Sequence, residues 1–186
     1  MEIPGNEWVE NIRRQSERLS GLVNELVMLS RLSEEQPFRE RAEFSLSDAA
    51  WEIAEAFTMT ANAAGKRLEM DIDDDVRIVG DMGAFQKLTS ILLDNAMKYS
   101  DPGSTITLRV KRQGRHAELS AENRCTGIEN DELPHFFERF YRSDKSRSSP
   151  GSGLGLAAAK EIAEAHGGKI SARLNDGDQV IFRVNI

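Results

Sequence analysis

The sequence predicts an α+β fold in two layers, with a mixed, mainly antiparallel sheet, helices on one face, and a long helix in front. Three observations carry this prediction. Apolar residues recur at helical spacing in four segments, period-two alternation marks the stretches between them, and several strand pairs are joined by only about three residues. Connections that short allow antiparallel neighbours but no crossover.

The leading helix runs from Trp8 to about Leu32. Ile12, Leu19, Leu22, Leu26 and Leu29 follow a 7, 3, 4, 3 spacing that matches heptad a and d positions, interrupted only at Gln15. Val23, Val27 and Leu32 widen the stripe, so the helix must bury more than one seam. It either folds back on its own domain or forms one strand of an intermolecular bundle. Pro37 cannot continue the ladder and biases Gln36 away from helix, which divides the chain into residues 1–36 and 37–186.

The second unit opens with a short strand at Phe44-Ser-Leu46. Ser47 or Asp48 is placed to cap a helix that runs through Ala49, Ile53, Ala56, Phe57 and Thr60 to Gly65. Leu68, Met70 and Ile72 alternate as a strand, closed by the acidic run at 71–75. Asp81 caps the next helix, whose Phe85, Leu88, Leu92, Ala96 and Tyr99 share a face until Asp101-Pro102-Gly103 stops it. Strands follow at about 104–112 and 116–123, then a loop-rich stretch, a helix at 154–166, and a hairpin of 169–175 with 179–185.

Composition narrows the function. With 24 Lys+Arg against 31 Asp+Glu the net charge is −7, which disfavours nucleic acid and anionic membranes as partners. No apolar run approaches the roughly 18 residues of a membrane span. The one cysteine, Cys125, argues against a disulfide-built module and is read as a small loop residue.

Three segments carry chemistry. Gly151-Ser152-Gly153-Leu154-Gly155-Leu156 opens into a helix, where unpaired N–H groups favour phosphate. Between 139 and 147 four basic residues face one acid, the reverse of the overall balance. Asn95 and Lys98 are three apart on one helix face, offering a hard amide oxygen and an ammonium to a metal-bound phosphate. A glycine connector, a solvated loop and a surface asparagine are the ordinary readings of these segments taken singly.

Together, LLDNAMKYS, FFERFYRSDKSR and GSGLGLAAAKEIAEAHGGKI resemble, in order, the N, F and G2 boxes of the ATP-binding catalytic domain of bacterial sensor histidine kinases. These belong to the superfamily that includes DNA gyrase and a heat-shock chaperone ATPase. The resemblance implies that fold, with ATP and Mg²⁺ as cofactors. It implies Asn95 as the Mg²⁺ ligand and Lys98 and Tyr99 as lining of the phosphate and nucleoside parts of the pocket. Arg142, with Lys145 nearby, would reach the γ-phosphate, and Asn95 and Arg142 would be the catalytic pair. Gly151, Gly153 and Gly155, with Leu154 and Leu156, would form the loop over ATP, and residues 143–151 its lid.

The segment that aligns with the G1 box contains Asn123, Cys125, Gly127 and Ile128. Asn123 stands where the family has an aspartate that accepts from the adenine amino group, and Cys125 replaces a glycine. Ile91, one turn before Asn95, stands where an acid or amide is common. These departures leave a second reading, a non-catalytic docking module. A clamp ATPase of the gyrase or chaperone type is disfavoured, because it uses an acid where Ile91 sits.

The N-terminal helix is similar to the second helix of the dimerisation and phosphotransfer hairpin. His116, His135 and His166 do not suit a phosphoacceptor, so the expected chain is a kinase fragment lacking the first hairpin helix. Implied partners are that hairpin, a response regulator receiver domain and a second copy through the hairpin. The implied setting is the cytoplasmic side of a membrane-bound sensor.

Overall fold

A computed structural model describes residues 8–13, 15, 16, 19, 20, 23, 27, 41–143, 152–175 and 178–186. From residue 41 the described order is β1 (Ala42–Ser45), α1 (Leu46–Ala63), β2 (Arg67–Ile72), β3 (Arg77–Gly80), α2 (Met82–Tyr99), β4 (Thr105–Gln113) and β5 (His116–Arg124). A 3-10 turn (Leu133–Phe137), α3 (Gly155–Ala165), β6 (Lys169–Asn175) and β7 (Gln179–Asn185) follow. The main sheet has the order β2-β4-β5-β7-β6, and β1 pairs with β3 in a separate two-stranded sheet. Only β2 with β4 is parallel; the other described pairs are antiparallel, and for β4 with β5 and β6 with β7 the short connections require it.

Alternation decides which side of the sheet meets the helices. In β4, Ile106, Leu108 and Val110 are fully buried, and in β5 Ala117, Leu119, Ala121 and Asn123 share the inner parity. The outer parity carries charge: Arg109 bonds Glu122, Lys111 Nζ lies 2.5 Å from Asp71 and 2.9 Å from Asp73, and Arg183 pairs with Glu118 at 3.2 Å. A sheet patterned this way packs helices on one face only. The helices answer with Leu46, Ala50 and Ala54 of α1, Phe85, Leu88, Leu92, Leu93 and Ala96 of α2, and Ala159, Ile162 and Ala163 of α3, all buried in one cluster. Truncating a fully buried leucine here costs about 2–5 kcal/mol.

Three local expectations change. The cap of α1 is Ser45, whose side chain accepts from Asp48 N at 3.1 Å, and neither Ser47 nor Asp48. Strand β1 ends one residue earlier than expected, so Leu46 already starts the helix. Ser47 turns inward instead: its hydroxyl donates to Asp73 O at 2.7 Å and accepts from Val76 N at 3.0 Å. Strand β3 went unforeseen because its four residues gain strand geometry only by pairing with β1 across α1 and β2.

The described residues between Trp8 and Val27 are helical. Trp8, Val9, Ile12, Leu19, Val23 and Val27 are 47–72% exposed, so this apolar side is open in the single chain. Leu22, Leu26, Leu29 and Leu32 lie outside the described residues. Among the described residues no helix is long and apolar enough to cross a membrane.

Candidate functional site

Helix α2 carries the first part of the site. Asp81 caps it as expected, Oδ1 accepting from Ala84 N at 2.9 Å. Burial of Leu88, Leu92 and Ala96 fixes its rotation, which leaves Asn95 and Tyr99 half-buried on the flank and Lys98 exposed, 2.5 Å from Asp94 Oδ2. Its far end is held by a residue the sequence reading did not single out. Lys66 Nζ donates to Met97 O at 2.6 Å, Ser100 O at 2.8 Å and Ser100 Oγ at 2.7 Å, so a cation meets the last carbonyls of the helix. Burial lowers the Lys66 pKa, and the nearby Asp101 carboxylate works against that shift.

Asp101 ties this helix end to the loop after β5. Its carboxylate accepts from Thr126 N at 3.1 Å and Thr126 Oγ1 at 2.6 Å, and its own N–H donates to Arg124 O at 2.9 Å. Those bonds to Thr126 lower the Asp101 pKa, with Arg124 and Lys66 adding charge attraction. Cys125 N donates to Asp178 O at 2.7 Å, and Cys125 packs half-buried on the main core with Ile128. Gly127 has φ +82°, a conformation that costs other residues energy, so the glycine is required there.

Asn123 sits at the inner end of β5, 2% exposed, between Ile106 and Val180 on the neighbouring strands. Its Nδ2 donates to Arg124 O at 3.3 Å, while its buried Oδ1 has no partner among the described residues. A buried acceptor left unpaired costs about 1–3 kcal/mol. An N–H donor brought by a ligand would remove that cost, which fits the adenine amino group.

The third part is the start of α3. Phe140 N donates to Gly153 O at 2.9 Å, and both residues have positive φ, +67° and +73°. A Cβ on Gly153 would lie 2.8 Å from Phe140 C and 2.8 Å from Tyr141 O. Gly153 is therefore needed twice, for its φ and for close approach to the F-box backbone. Leu154 is fully buried against Ala158 and Ile91, and a Cβ on Gly155 would touch Ile91 Cγ2 at 3.5 Å. Ile91, which looked like a loss, is an apolar brace that seats the start of α3 on the turn before Asn95. Leu156 packs partly buried on the main core. Arg142 is half-buried beside this junction in sequence, and Lys145 and Gly151 lie outside the described residues.

The structure thus joins Asn95, Lys98 and Tyr99 to Asn123 and Gly127 through Asp101, and to Gly153, Leu154 and Gly155 through Ile91. Among the described residues no cluster of three or more His, Cys, Asp or Glu side chains stands ready for a metal. The histidines have other tasks. His166 Nε2 accepts from Asp81 N at 3.2 Å and its Nδ1 is 2.7 Å from Ile162 O, His135 lies 2.7 Å from Glu138, and His116 is exposed in β5.

A helix start, a glycine loop and a buried acceptor around one helix define a nucleotide-binding ATPase-type domain. The chain belongs to the histidine kinase-, DNA gyrase B-, and HSP90-like ATPase family, whose pattern matches residues 80–186. It is 33% identical over 186 residues to the sensor protein DltS of Streptococcus agalactiae, covering all of this chain and 47% of that protein. The Acinetobacter baumannii histidine kinase AdeS superposes with a TM-score of 0.80 at 25% identity, over 100% of this chain and 86% of that one. The histidine kinase ThkA, solved in complex with the response regulator protein TrrA, shares the fold with a TM-score of 0.79 at 19% identity, over 100% of this chain and 52% of that one. The family makes this an ATPase-type domain, and the relatives it resembles carry the names of sensor proteins and histidine kinases. The chain spans about half the length of the curated relative it matches.

Proposed function

We propose that this chain binds Mg²⁺-ATP and donates the γ-phosphoryl group to a histidine on a phosphotransfer helix, in two-component signalling. The observation that carries the reading is the Oδ1 of Asn123, buried at the end of β5 on the inner face of the sheet and without a partner among the described residues. Asn123 would accept from the adenine amino group, with Gly127 and Ile128 beside it. Asn95 would hold the metal, which neutralises phosphate charge when bound. Lys98 and Tyr99 would line the phosphate and nucleoside parts. Backbone N–H groups at Gly151, Gly153 and Gly155, with Arg142 and Lys145, would receive the β- and γ-phosphates. Such a domain contributes positioning and charge stabilisation, and the accepting imidazole supplies the nucleophile.

That imidazole belongs to another segment, because His166 is engaged at both ring nitrogens and neither His116 nor His135 lies on a long helix. The exposed apolar side of the N-terminal helix supports assignment of residues 1–36 to a dimerisation hairpin and a homodimer through it. The hairpin of the same kinase and a response regulator receiver domain are the proposed partners, on the cytoplasmic side of a membrane-bound sensor. Calorimetric titration with ATP, with and without Mg²⁺, tests the reading. Saturable binding that strengthens with Mg²⁺ is expected, and no binding at millimolar nucleotide would overturn it.

A further inference from the structure

We propose that the base subsite at Asn123 accepts 6-oxopurine nucleotides, GTP and ITP, as well as ATP. The inference rests on the nucleotide-binding reading above and adds a selectivity to it. Adenine presents an amino donor at its 6-position and an acceptor at N1. Guanine and hypoxanthine present the reverse in the same ring pose, a carbonyl acceptor at position 6 and an N1–H donor. A carboxylate is acceptor-only and opposes a 6-oxo group. A carboxamide carries one donor and one acceptor, exchanged by a half-turn of its last torsion, so it can face either base.

Among the described residues one hydrogen bond of the Asn123 side chain, from Nδ2 to Arg124 O, opposes that half-turn. Its cross-strand neighbours Ile106 and Val180 are apolar and hold neither end of the amide. Its Oδ1 has no partner to lose, and its Nδ2 makes one bond, to Arg124 O at 3.3 Å, beyond the usual 2.7–3.2 Å range. Turning the amide gives up that long bond and brings Oδ1 near a carbonyl oxygen. Adenine is therefore preferred, but only by about one hydrogen bond's worth, a factor of about ten in affinity. A carboxylate at the same place would set a full charge against the 6-oxo group and discriminate far more strongly.

Competition calorimetry on the 186-residue chain with Mg²⁺-ATP, GTP and ITP reads this directly. The expected result is Kd values for GTP and ITP within about tenfold of that for ATP. In Asn123→Asp the GTP-to-ATP ratio should widen at least about tenfold further. ITP lacks the 2-amino group, so ATP and ITP binding without GTP would overturn the acceptance of GTP, locate the block at position 2 and support the 6-oxo assignment. ATP binding with both 6-oxopurines more than about a hundredfold weaker would overturn the inference while leaving the nucleotide reading intact. Failure of all three to bind would overturn both. Should the aspartate variant not fold, the wild-type ratios alone decide.

Discussion

Asp101 accepts two hydrogen bonds from Thr126, one from its backbone N–H and one from its hydroxyl, and so clamps the loop after β5 to the end of the helix that carries Asn95. Two segments 25 residues apart are held by one carboxylate. Lys66 completes the junction from the other side, capping the same helix end.

Asp101→Ala should loosen the Asn123–Gly127 loop without unfolding the domain, since the clamp sits near the surface. ATP affinity is expected to fall about tenfold, roughly one charge-assisted hydrogen bond. Isothermal calorimetry checks it, and unchanged affinity would mean the loop is held by β5 alone. Because its bonds to Thr126 lower the Asp101 pKa, the clamp's contribution is complete above the ordinary carboxylate value near 4 and fades as pH falls through the lowered one.

Gly153→Ala places a methyl group 2.8 Å from the Phe140 and Tyr141 backbone at a φ of +73°. Strain of about 1–3 kcal/mol follows, because neither the carbonyl nor the helix start can withdraw. Urea denaturation reads the loss. A change within about 0.5 kcal/mol would show that Phe140 and Gly153 separate freely.

His166 makes the domain sensitive to mild acid. Burial holds its pKa below the ordinary histidine value of 6.5; Arg41 pushes it the same way, while the Ile162 carbonyl and Asp81 oppose the shift. Its Nε2 must stay unprotonated to accept from Asp81 N, at the cap of α2. The stabilisation is complete above about pH 6.5 and is lost as pH falls through the lowered value. Urea midpoints at pH 7.5 and 5.5 should differ in the wild type and differ less in His166→Gln. Equal differences in the two proteins would contradict this assignment.

Asn95→Ala should leave the fold intact, because the side chain lies on the flank of α2 while Leu92 and Ala96 hold the core. It should abolish the strengthening of ATP binding by Mg²⁺. Titrations with and without the metal give the answer, and a preserved Mg²⁺ effect would remove Asn95 from the metal site.

Much of the frame was legible because its cues are local. The strands at 169–175 and 179–185 follow from alternation about a turn, and the cap at Asp81 follows from a short acidic residue before an apolar repeat. Strand β3 and the Ser45 cap were not, since each depends on where β1 ends against a partner distant in sequence. Within the site, Asn95, Lys98 and Gly153 stood out only when their three motifs were read together as a resemblance to a family. Lys66, Asp101 and Ile91 did not, because a lysine after a helix, an aspartate before Pro-Gly and an isoleucine on an amphipathic helix have ordinary explanations in sequence.

By itself the amino-acid sequence determined the order of the longer elements and the inward face of each, set by spacing within a few residues, and it carried three motifs whose resemblance to a family points to a nucleotide site. Only the tertiary structure decided how those motifs meet. It showed Ile91 to be a brace for the start of α3, Asp101 to be a clamp as well as part of the helix stop, and Asn123 to hold a buried oxygen without a partner among the described residues. Each depends on burial and on bonds between residues far apart in the chain, which no local period encodes.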